Sequence, residues 1–209
     1  MQIQEAALVL IRHGESEWNK KNLFTGWKNP GLSERGKMEA LAAGKALKKY
    51  DYKFSTLFTS DLIRAQKTGE IILNEINQKN IKVEKDKALN ERNYGALAGL
   101  NKDEARKKWG EKQVHIWRRS YDISPPEGES LKNTAERVLP YFHKNIFPLL
   151  VKGENILVAA HGNSLRSLVM YLDELSPKQV VKIELKTGEP IIYRFKENGA
   201  VKDKIFVET

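Results

Sequence analysis

Two runs in this chain carry no polar residue at all, Ala6 to Ile11 and Ile156 to Ala160. Each reads as a β-strand buried on both faces, because a strand with one wet face would alternate apolar and polar residues. Helical spacing follows both runs. Ser33 has the character of an N-cap for an amphipathic helix from about Glu34 to Lys49. Leu57 to Thr59 reads as a short strand, Ser60 as a cap, and Asp61 to Ile76 as a second helix with an acidic first turn. Thr134 to Leu150 is predicted helical with a bend at Pro140, and Ser164 to Leu172 as a further helix. Ile191 to Phe195 and Val201 to Val207, split by Asn198-Gly199, have the form of an edge hairpin. Alternating strand and helix imply an α/β fold, a three-layer αβα sandwich whose sheet is mainly parallel.

The 209 residues suit one domain, residues 1–209. Residues 90–130 fit the rhythm least: they hold Tyr94, Trp109, Trp117 and Tyr121 among many charges and run into Pro125-Pro126. They are expected to form an insertion over the end of the sheet, with Trp109 and Trp117 as core anchors. Cysteine is absent, which excludes a disulfide scaffold, a Cys-ligated metal site and a thiol nucleophile.

Thirty-six basic against 27 acidic residues leave a net charge of +9, which favours anionic partners: nucleic acid, a membrane surface, or small phosphorylated or carboxylated metabolites. The basic residues come as scattered pairs such as Lys48-Lys49, Lys107-Lys108 and Arg118-Arg119, with no block of five to form a nucleic-acid arm. The run from Ala6 is too short to span a membrane and lacks the basic flank of a signal peptide, so a soluble, cytoplasmic protein is expected.

Two of the four histidines, His13 and His161, follow a buried apolar strand directly and precede a glycine directly. In open α/β sheets the carboxyl ends of the strands border the ligand crevice, so both are predicted to enter one pocket. Arg12 accompanies the first, and Arg64, in the first turn of the helix after Thr59, points to the same end. Two imidazoles and two guanidinium forks suit a tetrahedral dianion. A neutral imidazole is also a competent nucleophile toward phosphorus, which makes His13 the candidate nucleophile. Transfer to or from a hydroxyl needs a proton carrier, and Glu91, a carboxyl expected to be pushed up in pKa beside a crowded anion, is the leading acid. One strand-end His-Gly can be a plain turn, whereas two in the same setting point to chemistry. His115 and His143 lie outside this setting. No His or Asp stands at i+3 or i+4 from His13 or His161, and Glu17 is the one carboxylate at that spacing, so no metal is expected.

The stretch Leu10-Ile11-Arg12-His13-Gly14-Glu15-Ser16, followed by Trp18-Asn19, resembles the signature of the histidine phosphatase superfamily. Further blocks are similar to the cofactor-dependent phosphoglycerate mutases and occur in that family's order. They are Leu23 to Trp27, Leu89 to Leu97, Gly99 to Lys102, Trp117-Arg118-Arg119, Pro125-Pro126 and Ala159 to Arg166. The resemblance implies a phosphoglycerate-mutase-like fold and interconversion of 3- and 2-phosphoglycerate, primed by 2,3-bisphosphoglycerate without a metal. It implies His13 as phosphoryl carrier, Glu91 as proton donor and acceptor, and Arg12, Arg64 and His161 as the clamp on the phosphoryl oxygens. Ser16, Asn19, Thr25, Gly26, Gly162 and Asn163 match phosphate and substrate contacts, and Gly14, Glu15 and Arg92 are taken into the same set. Tyr94, Lys102, Arg118 and Arg119 match an outer ring for the substrate carboxylate and second phosphate. Small phosphoglycerates are the expected partners, with no nucleic acid or membrane, and a homo-oligomer, a dimer first, as the assembly.

The chain departs from the family in two places. Only Glu127-Gly128-Glu129 separates Pro126 from Ser130, where many members have a longer loop, and the sequence stops at Thr209 without the family's longer tail. A shorter cover is expected to admit water and give some bisphosphatase activity.

Overall fold

The computed structural model describes residues 5–209. Along the chain run β1 (Ala6–Arg12), α1 (Glu17–Lys20), α2 (Glu34–Leu47), β2 (Phe54–Thr59), α3 (Ile63–Glu75), β3 (Lys82–Lys85), α4 (Lys102–Trp109) and α5 (Glu111–Arg119). There follow α6 (Leu131–Tyr141), α7 (Phe147–Val151), β4 (Asn155–Ala160), α8 (Gly162–Leu172), α9 (Pro177–Val180), β5 (Pro190–Phe195) and β6 (Val201–Phe206). The strands form one six-stranded sheet in the order β3-β2-β4-β1-β5-β6. The first four are parallel, and β5 and β6 complete the sheet antiparallel.

The strand period of two distributes β1 between two apolar cores. Ala7, Val9 and Ile11 pack with Ala43, Leu47 and Ile72 of α2 and α3. Leu8 and Leu10 pack with Val138 of α6, Phe142, and Leu165 and Leu168 of α8. Each large side chain buried in this way contributes about 1.5–3 kcal/mol. A third cluster, Phe24, Leu97, Ala105, Val114 and Trp117, stands apart from the sheet and belongs mostly to residues 90–130. Trp109 meets Trp117 edge-on there at 5.8 Å.

The fold class follows the sequence reading, and several boundaries move for local reasons. Ser33 caps α2 by accepting from Gly36 N–H, as predicted. The helix after β2 starts at Ile63 with Leu62 as its N-cap, so Asp61 falls outside its first turn. Ser60 does bond Leu62 N–H, at 3.1 Å, and it also meets His161. The helix predicted from Thr134 begins at Leu131, capped by a reciprocal Ser130–Asn133 pair. It carries Pro140 near its end and widens into a π-helical turn over Phe142–Ile146 before Pro148, which lacks the N–H a regular helix would use. The last long helix begins at Gly162, two residues early, with His161 as its N-cap. β3, Lys-Val-Glu-Lys, has no apolar signature because it is an edge held by backbone pairing to β2.

Candidate active site

Pairing between β1 and β4 continues past their ends: His13 N–H donates to Ala160 O at 3.0 Å. The two strand-end histidines therefore lie side by side, ring centres 5.0 Å apart and planes tilted by 60°. Close crossing of the next residue with α2 fixes the turn. A Cβ on Gly14 would stand 2.1 Å from Gly36 O, and one on Gly36 would stand 2.0 Å from Glu15 O.

His13 is buried, with Nδ1 2.7 Å from Gly14 O. A carbonyl can only accept, so Nδ1 carries the proton and Nε2 presents a lone pair, toward which Arg64 Nε–H points at 3.3 Å. Burial first, then the positive charges of Arg64 and Arg12, hold the His13 pKa well below its ordinary value, and the ring is neutral. His161 is buried completely; its Nε2 meets Ser60 Oγ at 2.7 Å, and its Nδ1 has no partner. Burial, Arg64, His13 and Arg12 likewise depress its pKa.

A cleft opens above His13. The described residues lining it include six cations, Arg12, Arg64, Lys102, Arg118, Arg119 and Arg166, and a single carboxylate, Glu91. Asn19, Thr25, Gly26, Tyr94, Gly162 and Asn163 complete most of the wall. Arg64 is buried and anchored, donating to Gly26 O and Lys28 O at 2.9 Å each. Arg12 donates to Leu185 O at 2.7 Å, while its Nε is buried without a partner, as is Thr25 Oγ1. Lys102 starts α4, and Arg118 and Arg119 end α5, so residues 90–130 bring three of the six cations.

Glu91 is held on one side. Its Oε1 accepts from Arg92 N–H at 2.8 Å, Asn163 N–H at 3.0 Å and Asn163 Nδ2 at 2.9 Å. Burial raises its pKa, but these hydrogen bonds and the charges of Arg12 and Arg64 prevail, and the net direction is down. Without a bound anion Glu91 is therefore a carboxylate, where the sequence reading expected an acid.

Five of the sequence-predicted residues stand behind the lining. Gly14 and Glu15 form the crossing with α2, where the Glu15 carboxylate accepts from Ser33 Oγ at 2.8 Å. Ser16 caps α1 against Asn19. Arg92 is buried, donates to Trp117 O at 3.0 Å and to Tyr94 Oη at 3.2 Å, and lies over the Tyr94 ring. His161 packs behind His13. Sequence reasoning missed Arg166, which donates to Asn163 Oδ1 at 3.2 Å and Ile183 O at 2.9 Å, and whose pKa is lowered to about 10 chiefly by burial. Its position three residues after Asn163 on a helix starting at the cleft was the available signal.

The arrangement offers a nucleophilic nitrogen under a ring of donors, with one carboxylate positioned to move a proton. Among the described residues no three His, Asp or Glu side chains stand where they could share a metal ion. None of the helices in those residues is long and apolar enough to cross a membrane.

Residues 8–207 match the family model of the histidine phosphatase superfamily, branch 1. The chain is 61% identical over 197 residues to a 2,3-bisphosphoglycerate-dependent phosphoglycerate mutase of Parvibaculum lavamentivorans, covering 94% of each. It is 60% identical to a phosphoglycerate mutase of Schizosaccharomyces pombe, covering 96% of this chain and 95% of that one. The solved structure of YhfR from Bacillus stearothermophilus superposes with a TM-score of 0.81 at 25% identity, covering 94% of each chain. With the paired strand-end histidines and the cationic cleft, these matches make the chain a member of the histidine phosphatase superfamily, branch 1, and within it of the phosphoglycerate mutase family.

Proposed function

We propose that this protein interconverts 3-phosphoglycerate and 2-phosphoglycerate, in glycolysis and gluconeogenesis, through a phosphoryl group carried on Nε2 of His13 and primed by 2,3-bisphosphoglycerate. The observation that carries the reading is the unprotonated Nε2 of a neutral, buried His13 beneath six cations and one carboxylate. The names of the relatives in Parvibaculum and Schizosaccharomyces support the same substrate class.

The cleft suits a small polyanion. Arg12 Nε and Thr25 Oγ1 are buried donors with nothing to bond, and a cation ring with one opposing carboxylate is costly until an anion enters. When bound, the bisphosphate supplies the phosphoryl group that charges His13. Arg12, Arg64, Thr25, Asn19 and the N-terminus of α8 at Gly162 are the groups assigned to the transferring phosphoryl oxygens, while Asn163 holds Glu91 beside them. Lys102, Arg118, Arg119 and Tyr94 are assigned to the carboxylate and the second phosphate. His161 keeps the His13 ring in place and is a positioning group.

As the Nε2–P bond forms, the ester P–O bond breaks and the leaving oxygen takes a proton from Glu91. In the reverse step the Glu91 carboxylate removes the proton of the acceptor hydroxyl while that oxygen attacks phosphorus and the Nε2–P bond breaks. Oε1 is saturated by three hydrogen bonds, so Oε2 carries the proton. Arrival of the polyanion raises the proton affinity of Glu91 and supplies the acid needed for priming. Residues 90–130 keep the bisphosphate in the cleft while it turns over, within a single domain spanning residues 1–209.

Purified protein is expected to isomerise 3-phosphoglycerate only with catalytic bisphosphate present and to release little phosphate. Primer-independent turnover, or phosphate release matching substrate loss, overturns the reading in favour of a hydrolase. A cytoplasmic homodimer is the expected state, measured by sedimentation and fractionation.

A further inference from the structure

Arg137, on α6, lies outside the cleft lining, yet all five of its N–H groups converge on the segment that carries Glu91 or on its support. Nη1 donates to Ala88 O at 2.7 Å and Asn90 O at 3.0 Å. Nη2 donates to Glu91 O at 3.0 Å and Glu129 Oε2 at 2.8 Å, and Nε donates to Glu129 Oε1 at 2.9 Å. Glu129 Oε2 in turn accepts from Asn93 N–H at 2.8 Å. Trp27 closes the arrangement, donating to Glu91 O at 2.7 Å with its ring 5.6 Å from the guanidinium.

Asn90 to Asn93 belong to neither helix nor strand, so backbone pairing does not fix the Glu91 main chain. A planar fork bound to Asn90 O and Glu91 O, and to Ala88 O just before them, does so instead, and a bidentate carboxylate fixes the fork. The short turn before α6 supplies Glu129. It packs so tightly on this segment that a Cβ on Gly128 would stand 2.8 Å from Asn93 O, and one on Gly95 would stand 2.1 Å from Pro126 O. The shortened loop thus serves as a clamp on the Glu91 segment.

We propose that Arg137, held by Glu129, is the positioning residue for the Glu91 proton shuttle, fixing the backbone so that Oε1 stays bonded to Arg92 N–H and Asn163 while Oε2 exchanges protons. The inference rests on the reading of Glu91 given above. Neither Arg137 nor Glu129 lines the cleft, so their loss acts on proton transfer and not on substrate binding. A lysine, a point charge without the fork, replaces only part of the function.

The test compares two phosphoryl donors. From 2,3-bisphosphoglycerate the leaving group is a phosphoglycerate alkoxide that needs a proton, whereas from 2,4-dinitrophenyl phosphate it is a stable phenolate that does not. Arg137→Met is expected to lower kcat for isomerisation about 30-fold, within the range of general acid–base effects. The KM for 3-phosphoglycerate and the burst of dinitrophenolate are expected to stay within about threefold. Glu129→Gln should repeat the pattern more mildly, and Arg137→Lys should fall between it and the parent. Glu91→Gln serves as the control for the underlying reading. If it loses isomerisation but keeps the burst while Arg137→Met and Glu129→Gln behave as the parent, the positioning role alone is overturned. If Glu91→Gln retains isomerisation, the shuttle assignment fails and takes the inference with it. Should Arg137→Met fail to fold, Glu129→Gln and Arg137→Lys decide: equal loss with both donors overturns the proposal, and selective loss with the bisphosphate upholds it.

Discussion

Nε of Arg64 lies 3.3 Å from Nε2 of His13, so the reactive lone pair faces a fixed positive charge. Arg64 cannot follow the imidazole if it moves, because Gly26 O and Lys28 O hold its other nitrogens. The incoming phosphorus must take the place of that contact. His13→Ala is expected to abolish acid-labile phosphoryl labelling of the peptide around residue 13 while leaving the fold intact, as checked by labelling and circular dichroism. Persistent labelling on another residue would falsify the nucleophile assignment.

Both strand-end histidines have depressed pKa values in the folded protein. An unfolded chain binds a proton on each below about pH 6.5, and the folded one does not. Their contribution is therefore complete above that pH and falls as the solution is acidified toward the folded pKa values, with a slope of about 1.4 kcal/mol per pH unit for each histidine. Urea titrations between pH 7.5 and about pH 5 should show stability falling with acid, and His161→Asn should roughly halve that slope. A flat profile would contradict the neutral, buried pair.

Arg118 lines the cleft from the end of α5, well away in sequence from His13, which follows β1 directly. Arg118→Ala is expected to weaken retention of bisphosphate about tenfold, or about 1.4 kcal/mol. The rate of His13 phosphorylation at saturating donor should change less than about threefold. Equal losses in both would merge the two roles separated above.

Arg166 can only donate, and ionised Glu91 can only accept, so Asn163 between them has one permitted amide orientation. Arg166→Met removes that constraint and a positive charge together. The expected result is a rise in the Glu91 pKa, seen as the acidic limb of the isomerisation profile moving to higher pH by roughly 0.5–1 unit. Arg166→Lys should restore part of the shift.

At Gly14 the backbone crossing with Gly36 leaves no room for a methyl group. Gly14→Ala is expected to cost about 3 kcal/mol or more, since backbone must move on both sides. Thermal unfolding reads the loss directly.

Much of the fold was legible because Ala6 to Ile11 of β1 and Ile156 to Ala160 of β4 are buried on both faces and so are apolar without interruption. The same sheet rule placed His13 and His161 together, as parallel neighbours ending at one level must be. β3 was not legible, since an edge strand is fixed by hydrogen bonds that leave no mark on side-chain composition. The starts of α3 and α8 shifted because Ser60 and His161 serve the site as well as a helix end. The sequence carries no sign of what Arg137 does, since three of its partners are backbone carbonyls, which a sequence of side chains does not display.

The apolar cluster around Trp117 shares no residue with the two cores that flank the sheet. His13, the proposed nucleophile, rests on one foundation and three of the six cations around the cleft on another. Selection can therefore redraw which molecule is welcomed, by editing α4 and α5, without unsettling the platform where the phosphorus–nitrogen bond is made.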